Sequence, residues 1–98
     1  MSRAECGLPE HAIVFVNFNA HYKFDAEAFA AWMRWLRDAS SSVLWLREGT
    51  PTAMDNLRAE AERCGVDAAR LVFAPRAAHD EHLARHRLAD IALDTQNH

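Results

Sequence analysis

Four short apolar runs punctuate the chain, and the stretches between them carry a helical rather than an alternating period. Residues 13–18 (IVFVNF) are β-branched and aromatic and run out through Asn17 into Asn19, the pattern of a buried strand leading into a loop. Asp25 can then cap a helix whose apolar positions Phe29, Trp32, Met33 and Leu36 fall on one stripe. After three serines, residues 43–46 (VLWL) form a second run without alternation, read as another buried strand. Thr50 and Pro51 predict a helix start, because the hydroxyl can accept from a free backbone N–H and proline at the first position forfeits no hydrogen bond. Met54, Leu57, Ala61 and Cys64 line one face of that helix; Gly65 predicts its end and Val66 covers the last turn. Residues 71–74 (LVFA), closed by Pro75, make a third strand, 80–88 a shorter third helix, and 91–93 a fourth strand.

Strands without polar alternation, separated by helices, predict an α/β fold: a four-stranded parallel sheet with helices on both faces. Right-handed crossovers give the strand order 3-2-1-4, half of a doubly wound, Rossmann-like domain. The order reverses between the first and fourth strands, and ligands of such sheets bind there, beyond the carboxyl ends. Residues 1–12 are expected to be a linker leading into the domain, and 13–98 a partial nucleotide-binding domain. No internal repeat or low-complexity tract interrupts this order.

Composition narrows the function. Half the residues are apolar and 26% are charged, the balance of an ordinary globular domain. A formal net charge of -3 provides no basic field for nucleic acid or an anionic membrane, and no run of about 18 apolar residues is present. Cys6 and Cys64 form no CxxC pair, so neither a zinc site nor a disulfide framework is expected, and a reducing cytoplasm fits best.

The three glycines are isolated and none opens a helix directly after a strand, which excludes a dinucleotide fingerprint. Attention falls instead on Asn17-Phe-Asn-Ala-His-Tyr-Lys23, which carries the single lysine of the chain to the reversal point. Lys23 is either a solvated loop residue or a cation placed for phosphate. His79, His82 and His86 share one helical face, but they do not complete a tetrahedral zinc set and no HExxH motif accompanies them. They read as exposed polar residues, with contact of His82 to a nucleotide as the functional alternative; Arg85, nearly a turn on, is a surface arginine or a ligand contact. Trp32 and Trp45 fall at core positions and Trp35 at the stripe's edge, so carbohydrate stacking is not inferred from them.

Taken together, Gly7-Leu-Pro-Glu10, the run 13–19 with Tyr22-Lys23, Ser42-Val-Leu-Trp-Leu46, Arg70-Leu-Val-Phe-Ala-Pro75, Glu81-His82 through Arg85 to Asp90, and Leu93-Asp-Thr95 resemble a known family in order and spacing. It is that of the O-linked N-acetylglucosamine transferases with tetratricopeptide repeats, including the SPINDLY proteins. The resemblance implies half of the carboxyl-terminal lobe of a GT-B glycosyltransferase. It implies N-acetylglucosamine transfer from UDP-N-acetylglucosamine to protein serine or threonine, with neither metal nor cofactor. Lys23 would then neutralise the diphosphate as charge builds on the leaving UDP. Ala77 would offer its backbone to the uracil, and His82 and Arg85 would lie against the base.

Two positions depart from that pattern: Ala20 stands where the family commonly has glutamine, and His79 where a lysine often reaches the ribose. The family continues past Leu93-Asp-Thr95 into a phosphate-cradling loop with a histidine and two threonines, whereas this sequence ends Gln96-Asn-His98. A fragment inactive by itself is therefore expected. The alternative is a stand-alone α/β binding module without catalysis.

Overall fold

A computed structural model of the chain describes residues 2–18, 26–75 and 85–93. Among these, β1 (Ile13–Asn17), α1 (Ala26–Asp38), β2 (Ser42–Arg47), α2 (Pro51–Arg63), β3 (Leu71–Ala74) and β4 (Ile91–Ala92) follow one another in chain order. The strands form one sheet in the order β3-β2-β1-β4, and each pairing is parallel. The expected four-stranded parallel sheet is therefore present, with the order reversing between β1 and β4; among the described residues α1 and α2 cover one face, and the opening segment with residues 88–89 covers the other.

Side chains alternate between two apolar layers. Phe15, Leu44, Leu46 and Leu71 face α1 and α2, meeting Phe29, Trp32, Met33, Leu36, Ala61 and Val66. Val14, Val16, Val43, Trp45 and Ala74 face the other way, onto Leu8 of the opening segment and onto half-buried Leu88 and Ala89. Trp32 and Trp45 are core residues as read, and Trp35 stays half exposed at the stripe's edge with its ring 6.4 Å from that of Phe15.

Local signals set the bounds of α2. The Thr50 hydroxyl accepts from the Ala53 amide at 3.1 Å, with Pro51 in the first turn. At the other end Gly65 takes φ +83°, its amide donates to the Glu62 carbonyl, and buried Val66 donates to that of Ala61. These paired bonds are the Schellman closure that glycine permits. Helix α1 ends differently: the Arg70 guanidinium, from just before β3, donates to the carbonyls of Leu36 and Ala39. It also reaches the carbonyl and hydroxyl of Ser42. A cation thus satisfies orphan carbonyls at a helix C-terminus, and Ser42, paired in this way, can be buried in β2. The strand consequently starts one residue before the apolar run.

Other bounds differ from the sequence reading: β2 runs on to Arg47 rather than ending at 46, and β4 stops at Ala92 rather than 93. β1 stops at Asn17 rather than Phe18, whose side chain turns onto Trp45. The third helix is described only from residue 85. It ends at 86, and the Leu88 amide bonds back to the Arg85 carbonyl in a tight turn, so Leu88 lies outside it. Residues 80–84 and the expected cap Asp25 lie outside the described residues.

The segment before β1 packs against the sheet. Ala4–Cys6 form a short 3-10 helix closed by Gly7 at φ +76°. Arg3 donates to the carbonyls of Leu88, Glu10 and Ala12 and to the Asp90 carboxylate at 2.8 Å. The same carboxylate accepts the Val14 amide at 2.8 Å. That amide, followed by the Arg3 guanidinium, holds the Asp90 carboxyl below its ordinary range against the opposing effect of burial. A depressed carboxyl stabilises the fold above its unfolded pKa, and that contribution is lost as the pH falls through the folded value. Asp90→Asn should therefore cost stability at neutral pH and progressively less below pH ~4. Urea unfolding of the two proteins at pH 7 and pH 3 checks this; an equal difference at both pH values would contradict it. No helix of the described residues is long and apolar enough to cross a membrane.

Candidate functional site

The carboxyl edge of the sheet is where the predicted site falls. Asn17, the last residue of β1, is buried, and its side-chain amide donates to the Leu93 carbonyl at 2.9 Å. Leu93 in turn donates its own amide to Val16 at 2.8 Å, extending a β1–β4 ladder of two residue pairs. Next to this fork the Phe18 ring meets Trp45 edge-on at 5.0 Å and His86 edge-on at 5.3 Å. Beyond β3, the Pro75 carbonyl accepts from an Arg85 Nη1–H at 2.5 Å.

Arg85 is the one predicted site residue among those described. It is 9% exposed, and its buried Nε–H has no hydrogen-bond acceptor among the described residues. It is thus a buried cation tied to the end of β3, with a donor to spare. Lys23, Ala77, His79 and His82 lie outside the described residues, as does the segment that joins β1 to α1. Among the described residues, no group of three or more His, Cys, Asp or Glu could hold a metal. Cys6 and Cys64 are free thiols.

An open cleft of about 420 Å³ lies at the opposite, amino-terminal edge, between His11, Ser40, Ser42 and Arg70. It is the wrong edge for a ligand of this fold, and Arg70 there is engaged with four backbone and side-chain acceptors. Sequence reasoning missed the bridge from Asn17. Its signal is a carboxamide ending an otherwise apolar strand, a buried polar group that must find a partner.

The described residues thus form half of a doubly wound α/β sheet with a buried cation at its carboxyl edge. A solved O-GlcNAc transferase mutant from Thermobaculum terrenum superposes with a TM-score of 0.79 over 92% of this chain and 20% of that one, at 24% identity, which establishes the shared fold. The chain belongs to glycosyl transferase family 41, whose model matches residues 1–97. It is 40% identical over 94 residues to a UDP-N-acetylglucosamine–peptide N-acetylglucosaminyltransferase of Caenorhabditis elegans, covering 96% of this chain and 8% of that protein. It is 36% identical over 93 residues to a probable UDP-N-acetylglucosamine–peptide N-acetylglucosaminyltransferase, SEC, of Arabidopsis thaliana, covering 95% and 10%. The family resemblance read from the sequence is borne out, and the chain spans a tenth or less of the length of the Caenorhabditis elegans and Arabidopsis thaliana relatives.

Proposed function

We propose that this chain contributes part of the donor site of a protein O-glycosyltransferase that moves N-acetylglucosamine from UDP-N-acetylglucosamine to serine or threonine. The observation that carries the reading is Arg85: a guanidinium held by the Pro75 carbonyl beyond β3 puts a fixed cation at the carboxyl edge, where a doubly wound sheet receives an acceptor-rich ligand such as a uracil or a phosphate. In this reading Arg85 and His82 lie against the base, Ala77 offers its backbone to it, and His79 stands near the ribose. Lys23 stabilises the charge that develops on the departing diphosphate. No metal is needed, because the lysine supplies the positive charge. Protein acceptors are held by other parts of the enzyme, and these 98 residues bind the nucleotide without turning it over.

So few contacts correspond to roughly 4 kcal/mol, a dissociation constant of about 1 mM. Titrating UDP into the chain, with and without magnesium, tests the proposal. Weak saturable binding that magnesium leaves unchanged is expected; no binding at several millimolar, or binding only with the metal, would overturn it.

A further inference from the structure

We infer that Asn17 is a positioning residue for the donor site, a role that rests on the reading above. The β1–β4 ladder spans only Phe15↔Ile91 and Val16↔Ala92. So short a ladder leaves the strand ends poorly fixed where the sheet order reverses. The Asn17 carboxamide corrects this from a 3% exposed position. Its Nδ2 donates to the Leu93 carbonyl at 2.9 Å, while the Leu93 amide donates to Val16. Leu93 is therefore held to β1 through both of its backbone polar groups. β1 and β2, by contrast, pair through five successive residues and need no such tie.

The geometric consequence is a fixed gap between the carboxyl ends of β1 and β4, the place where a doubly wound sheet receives its ligand. A site held in its binding geometry beforehand spends less of its contact energy on ordering the backbone. Loss of the bridge should thus weaken nucleotide binding although Asn17 does not touch the nucleotide. Leucine is the variant of choice, since it keeps the branched shape and the number of side-chain heavy atoms, suits burial and cannot donate. It leaves the Leu93 carbonyl short of its side-chain donor while filling the site with an apolar group.

In Asn17→Leu, amide hydrogen exchange at Leu93 should quicken about tenfold relative to the rest of β1 and β2, and the UDP dissociation constant should rise about fivefold to tenfold. Global melting should fall by no more than about 10 °C. Asn17→Ser, polar but too short to span the fork, should show the same pair of effects and serves if the leucine variant fails to fold. Unchanged UDP affinity in a folded variant, with the wild type binding, would overturn the positioning role and leave the proposed function intact. A uniform rise in exchange across the whole sheet would mean that Asn17 serves the fold alone. Failure of the wild type to bind UDP would instead overturn the proposed function, and the positioning role with it. Leu93 exchange would then report only the bridge.

Discussion

Trp45→Ala should lower the melting temperature by about 20 °C or more and leave much of the chain unfolded at 37 °C. Trp45 is fully buried in the layer that joins the sheet to the opening segment and to the turn at 85–88. Removing an indole from such a site costs about 3–5 kcal/mol. A chain of this size holds roughly 5–15 kcal/mol in all. Each kcal/mol shifts the midpoint of a small domain by about 4–8 °C. Trp45→Phe should be far milder, for two reasons. An aromatic ring survives, and the Trp45 Nε1–H, which is buried without an acceptor among the described residues, disappears with its desolvation cost. Thermal unfolding followed by circular dichroism checks both variants. A Trp45→Ala protein that melts with the wild type would show that this layer contributes little to the core.

Lys23→Ala should raise the UDP dissociation constant about tenfold. A charge-assisted hydrogen bond contributes about 1.5–3 kcal/mol, and the lower value applies to a lysine that solvent can reach. The loss should shrink as salt is added, because screening weakens the wild-type contact and leaves nothing to weaken in the variant. Isothermal titration of UDP at two ionic strengths separates these effects. Equal affinities for the two proteins at low salt would remove Lys23 from the diphosphate and return it to the solvated loop residue that its sequence context also allows.

The framework of the fold was legible because its signals are local. Four apolar runs without alternation specify buried parallel strands, and Thr50, Pro51 and Gly65 mark where α2 begins and ends. Connection handedness then leaves few arrangements, and the observed order β3-β2-β1-β4 is the expected one. Long-range polar contacts have no such signature. Nothing periodic announces that Arg70 closes α1, or that Arg3 reaches Asp90 across 87 positions of sequence. The strand bounds moved for the same reason: Ser42 belongs to β2 only because Arg70 and Ala39 satisfy its hydroxyl. At the candidate site, the carboxyl edge followed from topology, whereas the roles of Lys23, Ala77, His79, His82 and Arg85 came through resemblance to the family. Of these, Arg85 alone is placed by the described residues, buried and bound to Pro75.

Backbone amide shifts during a nucleotide titration locate, residue by residue, where UDP touches this chain. Perturbation should concentrate on Asn17, Phe18, Arg85, His86 and Leu93 and on the segment carrying Lys23. Ile13, Ser42 and Arg70, at the amino-terminal ends of the strands, should stay still. Shifts centred instead on the cleft formed by His11, Ser40 and Ser42 would place the nucleotide at the opposite edge of the sheet and contradict the account.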